Sequence, residues 1–183
     1  MVFLSGGFFG ICDCVGFCVA GSRGIVGAAL AVRQAEAGEF ERVGRLTYAL
    51  LAELFPEEGY ERESCVESAR TLLAGDQGVW AFLATAREDR DVGVVMLNEC
   101  AAIYAGGRFG EISELYVAPD TRSKQVGALL IEAAAAFGRK RDWPFIEVGA
   151  PSAPVWQRTI DFYLKSGFEE IGPRLYLKLD SAK

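Results

Sequence analysis

The spacing of apolar residues changes along this chain in an order that few folds accept. A short strand over Ala31–Ala35 is followed by two segments of helical period. Phe40, Val43, Leu46, Leu50, Leu51 and Leu54 make the first, stopped by Pro56, and Val66, Ala69, Leu72 and Leu73 make the second, closed by Gly75. Three strand segments come next: Val79–Thr85, then Val92–Leu97 with a continuation toward Tyr104, then Phe109–Val117. The charged turn Arg87–Asp91 and the Gly106-Gly107 turn join them. Beyond these, Val126, Leu129, Leu130, Ala133 and Phe137 give a third helix one apolar face, and Phe145–Val148 is a short apolar strand. Ser152 can cap a fourth helix with Pro154 in its first turn and Gly167 at its close, before a last strand over Arg174–Leu179. The order β-α-α-β-β-β-α-β-α-β puts an antiparallel meander first and crossover units second. It predicts an α/β chain of the α+β kind, with one mixed sheet and about four helices.

A chain of 183 residues is long enough for one domain with a core of its own. Its apolar share of 51% and charged share of 24% are those of a globular protein. The net charge of −6 argues against nucleic acid, because duplex binding needs a basic footprint, and suits a cationic partner better. The chain has no histidine. That removes Ser-His-Asp and Cys-His nucleophilic machinery, and His-ligated zinc, haem and non-haem iron sites. A general base must then be Glu, Asp, Tyr, Cys, Lys or water. Among the five cysteines, Cys65 and Cys100 sit in apolar surroundings and read as buried thiols. Cys12, Cys14 and Cys18 cluster but lack a convincing fourth ligand, so no metal is expected. The odd count argues against a disulfide scaffold and for a reducing, cytoplasmic setting.

Residues 1–29 differ from the rest: Gly-rich, apolar, with Asp13 and Arg23 as the only charges. A secretory signal opens on Lys or Arg, and the many glycines make a poor spanning helix, so the segment is expected to be a poorly ordered extension ahead of a domain over residues 30–183. Neither a signal nor a membrane association is expected. Within it, Val19–Gly27 imitates a dinucleotide turn, but its glycines fall at three-residue steps and not at G-x-G-x-x-G spacing. No Tyr has a Lys four positions later, as a short-chain dehydrogenase pair would require.

The stretch from Glu111 to Leu130 is the most informative for chemistry. A strand ends at Pro119 and a short turn leads into an amphipathic helix. The first-turn N–H groups of such a helix have no internal partners, and with the helix dipole they form an anion site suited to a pyrophosphate. Gly127 allows close backbone approach, and Arg122 and Lys124 bring positive charge. An ordinary strand-turn-helix with a solvated basic turn would look the same by spacing alone.

These residues resemble the acetyl-CoA-binding motif of the GNAT superfamily, a strand reading roughly L-Y-V-x-P followed by R-x-x-G-x-G/A and a helix. Leu115, Tyr116, Val117, Pro119, Arg122, Gly127 and Ala128 match, while Gln125 replaces the first motif glycine. If position 125 has helical φ the replacement costs little; if it needs positive φ the site is strained. Phe162-Tyr163-Leu164-Lys165-Ser166-Gly167-Phe168 resembles the family's F-Y-x-x-x-G-F segment, with Trp156 and Thr159 where Asn and Ala are often found. The resemblance runs from about residue 30 to the end. It implies the GNAT acyl-CoA N-acyltransferase fold, a mostly antiparallel sheet splayed between its fourth and fifth strands so that CoA enters the gap.

The same resemblance implies the site. Acetyl-CoA would lie on Leu115, Tyr116, Val117, Arg122, Ser123, Lys124, Gln125, Val126, Gly127 and Ala128. Glu111 matches the general base of GNAT histone acetyltransferases and Tyr163 the usual general acid, with the backbone N–H near Val117 polarising the thioester carbonyl. Strand alternation would place Glu111 with Ser113, Leu115 and Val117, and Glu114 on the opposite face with Ile112 and Tyr116, so that Glu114 or a water is the alternative base. The implied activity is direct transfer of acetyl from acetyl-CoA to an amine of a small molecule or peptide. A non-catalytic acyl-CoA-binding module is the rival. Acidic Glu57, Glu58, Glu61 and Glu63 would suit a polyamine or aminoglycoside, or form a solvated surface only. A homodimer is left open.

Overall fold

A computed structural model describes residues 30–151, 153–175 and 177. Its elements are β1 (Ala31–Gln34), α1 (Phe40–Leu54), α2 (Arg62–Leu73), β2 (Val79–Thr85), β3 (Asp91–Ala102), β4 (Gly107–Val117), α3 (Val126–Lys140), β5 (Ile146–Val148) and α4 (Gln157–Lys165). The expected order of elements is present from the first strand through the fourth helix. The expected extension over residues 1–29 and the Ser152 cap lie outside the described residues. Of the expected last strand, Arg174, Leu175 and Leu177 are not in a strand, and Tyr176 and residues 178–179 lie outside the described set. Pro154 precedes α4 and is not in its first turn. Residues 154–157 instead close a turn through the Gln157 N–H and the Pro154 carbonyl, and helical bonding begins with Ile160 to Trp156.

The strands form one sheet in the order β1-β2-β3-β4-β5, antiparallel except for the parallel pair β4–β5. Short turns force the antiparallel meander, whereas a strand-helix-strand crossover through α3 permits the parallel step. β5 pairs only with Gly110, Glu111 and Ile112 of β4. Among the described residues, the edge of β4 from Ser113 to Val117 therefore has no strand partner on that side, and the sheet opens there.

Both faces are covered. Val43, Leu46, Ala69 and Leu73 of α1 and α2 bury Leu83, Val94, Met96 and Tyr116 on one face. Val126, Leu130, Ile131 and Ala134 of α3, with Tyr163 of α4, bury Phe82, Val95, Leu97 and Ile112 on the other. The alternation of β2 and β3 between these clusters is the period-2 pattern of a sheet buried on both sides. Among the described residues no helix is long and apolar enough to cross a membrane.

Candidate active site

The turn between β4 and α3 is built from short-range bonds. Thr121 donates to Ala118 through both its N–H and its Oγ1, and the N–H groups of Arg122 and Lys124 donate to Pro119 and Thr121. Ser123 and Gln125 have φ of 64° and 67°, in the left-handed region. The first helical bond is Leu129 N–H to the Gln125 carbonyl. Among the described residues, the N–H groups of Gln125, Val126, Gly127 and Ala128 therefore donate to no backbone carbonyl, and no side chain caps them. No acidic residue lies in the first turn, unlike α1 and α2, which carry Glu41 and Glu63 there. Four free donors at the positive end of a fifteen-residue helix fit a pyrophosphate. Position 125 does require positive φ, so Gln125 sits where glycine would be unstrained.

The structure gives two residues of this turn contacts that spacing did not show. Arg122 does not aim its charge at the helix N-terminus. Its Nε donates to the Val117 carbonyl at 2.9 Å, Nη1 and Nη2 bond Glu53 of α1 at 2.9 and 2.5 Å, and its guanidinium lies 5.9 Å from the centre of the Tyr116 ring. A bidentate carboxylate and an otherwise unpaired strand carbonyl hold it there. Gly127, in turn, makes room for a side chain: a Cβ there would stand 3.0 Å from the Phe162 ring, so the missing side chain lets α4 close onto α3. Arg158 of α4 also reaches this turn, donating to Ser123 Oγ at 2.7 Å, and nothing in the sequence spacing marked it.

The edge of β4 supplies a further donor. Ala118 N–H bonds Val92 of β3, so alternation turns the Val117 N–H away from β3 and toward the opening beside β5. The Val117 carbonyl on the same side is capped by Arg122, and its N–H has no partner among the described residues.

The largest departure from expectation concerns the two carboxylates. Met96 pairs with Glu114 but Leu97 pairs with Ile112, so Ser113 is an extra residue in β4. This bulge reverses the alternation. Ile112 joins Leu115 and Val117 on the α3 face, while Glu111 and Glu114 fall together on the face of Tyr116, under α1 and α2. Glu111 and Glu114 are thus not on opposite faces. Burial pushes the Glu114 carboxyl above the usual carboxylate range; the Ser113 hydroxyl opposes this and the Glu111 charge adds to it. Glu114 in turn adds to burial in raising the Cys65 thiol of α2. Glu111 accepts a bond from Cys100 Sγ at 3.5 Å and is ion-paired with Arg174. Burial, then the bond to Glu111, raises the Cys100 thiol, so it stays protonated and serves as a donor. Register places Glu147 of β5 beside Glu111, with its carboxylate bonded by the Tyr104 hydroxyl at 3.0 Å.

Tyr163 lies on the other face, 7% exposed, its ring 5.5 Å from Phe162 and 5.4 Å from Phe168. Burial pushes its phenol up to about 12. The hydroxyl has no hydrogen-bond partner among the described residues. The F-Y-x-x-x-G-F segment is a helix terminator. Gly167 has φ of 92°, its N–H bonds Leu164, the Phe168 N–H bonds Tyr163, and the two rings close the motif. Two surface hollows, about 430 Å³ beside Gln34, Leu73 and Trp80 and about 310 Å³ beside Arg45 and Asp91, lie away from these groups and carry none of them.

Comparison with known proteins agrees with this geometry. The acetyltransferase (GNAT) domain family model matches residues 77–170. No curated protein sequence matches the chain. Among solved structures, a possible acetyltransferase from Clostridium difficile 630 is 16% identical with a TM-score of 0.71, covering 84% of this chain and 99% of its own. A ribosomal-protein-alanine N-acetyltransferase from Brucella melitensis biovar Abortus 2308 is 20% identical with a TM-score of 0.66, covering 83% and 100%. An aminoglycoside N-acetyltransferase in complex with CoA is 19% identical with a TM-score of 0.64, covering 85% and 97%. At such identities the likeness is one of fold. The family match spans more than half of the 183 residues and takes in the β4–α3 turn and the α4 terminator, and on that ground the chain belongs to the GNAT acetyltransferase family.

Proposed function

We propose that this protein transfers an acetyl group from acetyl-CoA directly to an amine of a small molecule or peptide. The observation that carries the reading is the unpartnered first turn of α3 lying beside the open edge of β4. The N–H groups of Gln125, Val126, Gly127 and Ala128 hold the pyrophosphate, and the Val117 N–H donates to the thioester oxygen. Acetyl-CoA supplies the acetyl group as an activated thioester. An amine near pKa 10 is mostly protonated at neutral pH, so Glu111, with Glu114 beside it, takes a proton from it before attack. Tyr163, which holds its proton throughout the working range, gives one to the departing thiolate.

A cationic acceptor fits the acidic segment between α1 and the first turn of α2. Glu57, Glu58, Glu61 and Glu63 are exposed, with no ion pair among the described residues. Polyamines and aminoglycosides would be drawn to such a surface, and the CoA-bound protein of similar fold is an aminoglycoside N-acetyltransferase. One observation favours a second reading. Arg174 neutralises Glu111, and a chain in which that pair never opened would bind acyl-CoA without acetylating anything. Thiol release from acetyl-CoA against a panel of polyamines, aminoglycosides and peptides tests the proposal: amine-dependent release supports it, and CoA binding without release for any amine supports the binding module.

A further inference from the structure

The arginine of the turn's motif does not offer its charge to the donor. Arg122 commits three of its five N–H donors to Val117 and Glu53, and the Glu53 carboxylate neutralises its charge. Arg158 stands in the opposite situation. It is exposed, bonds the turn through a single contact to Ser123 Oγ, and has no carboxylate partner among the described residues. Most of its five N–H donors remain available in a planar fork that matches phosphate oxygens. Its position is also fixed. Phe162, one helical turn further along α4, fills the space left by Gly127, so α4 is seated on the N-terminus of α3. Arg158 lies on the same face of α4, at the rim of the four free N–H groups.

We propose that Arg158 binds a phosphate of the acyl-CoA donor and supplies the charge that Arg122 withholds. The proposal rests on the donor reading of the β4–α3 turn. The phosphate is either the pyrophosphate at the turn or the 3′-phosphate of the adenosine. Both are anions that a bidentate guanidinium recognises.

Calorimetry on the full chain, using CoA and 3′-dephospho-CoA, tests it. Arg158→Gln should weaken CoA by about tenfold or more, as expected on losing a charged hydrogen bond. The loss should shrink as salt is raised, and Arg158→Lys should recover part of it. If the 3′-phosphate is the partner, wild type and Arg158→Gln bind dephospho-CoA equally; if the pyrophosphate is, the loss persists. Either pattern supports the assignment. Wild-type affinity in Arg158→Gln would overturn it, and so would a loss indifferent to salt, which would mean that Arg158 merely braces Ser123. A wild-type chain that binds no CoA would overturn the donor reading as well, which separates the two failures.

Discussion

Glu111 and Glu114 face the same side of β4 because Ser113 is an extra residue between them in the β3–β4 ladder. The bulge brings two carboxylates under α1 and α2, near the opening beside β5, where regular pairing would have left one on each face. Their charges are coupled, and Glu114 is the one pushed upward.

Substitution should show this coupling. Glu111→Gln is expected to lower the single-turnover rate by about 10²–10⁴-fold, with the loss shrinking as pH rises and free amine forms unaided. Because the Glu114 carboxyl is raised, any rate that needs its ionised form sets in at a higher pH than an ordinary carboxylate would give. Glu114→Gln should remove that acid limb, and Glu111→Gln should keep it but move it to lower pH, because the Glu111 charge no longer adds to the shift. The double variant should lose less than the two single losses combined, as neighbours in one network do. Additive losses would place the two groups in separate roles.

Much of this was legible in the sequence, and the misses have physical causes. Apolar periodicity marked α1, α2, α3 and the longer strands, since burial on one or two faces imposes the pattern, while α4 was marked by its terminal residues, Gly167 among them. The Y-x-x-x-G-F run was legible because it encodes a helix terminator. The bulge left a trace that straight counting overlooked: Ser113 and Glu114 are adjacent polar residues, and the apolar positions move from Ile112 to Leu115 and Val117 across them. The start of α4 was misjudged because Pro154 serves a turn ahead of the helix as readily as a first helical turn. Which way Arg122, Arg158 and Arg174 point depends on partners 69, 35 and 63 residues away, and no local spacing reports that.

The strain at position 125 can be relieved. Gln125 has φ of 67°, which costs a side chain about 1–2 kcal/mol and costs glycine little. Gln125→Gly should therefore stabilise the fold, raising Tm by about 2–4 °C, and should bind acetyl-CoA equally or more tightly. A lower Tm would show that the Gln side chain contributes more than its backbone costs.

Gly127 provides an independent check on how α4 sits on α3. Gly127→Ala would bring a Cβ to 3.0 Å from the Phe162 ring and should destabilise by about 1–3 kcal/mol in chemical denaturation. Adding Phe162→Leu should recover most of the loss. Gly127→Pro also deletes one of the free N–H groups and should abolish CoA binding. Undiminished CoA affinity in the proline variant would place the pyrophosphate elsewhere.

Tyr163→Phe should slow thiolate departure in single turnover while leaving acetyl-CoA affinity nearly unchanged, because the ring still packs on Phe162 and Phe168. Burial pushes the phenol up to about 12, above the ordinary tyrosine value of about 10. A group raised on folding contributes stability that is complete below its unfolded pKa and is lost as pH rises through the folded one. Wild type should therefore lose stability from about pH 10 upward relative to Tyr163→Phe, and equal single-turnover rates in the two would reject Tyr163 as the acid.

Direct transfer to an amine can be read in a single-turnover reaction with excess protein over acetyl-CoA. Without amine, the account predicts no release of free CoA and no acetyl group on the protein by intact mass. On adding an accepted amine, CoA and acetylated amine should appear together at one rate. Early CoA release with an acetyl group on Cys100, the thiol that bonds Glu111, would contradict the account.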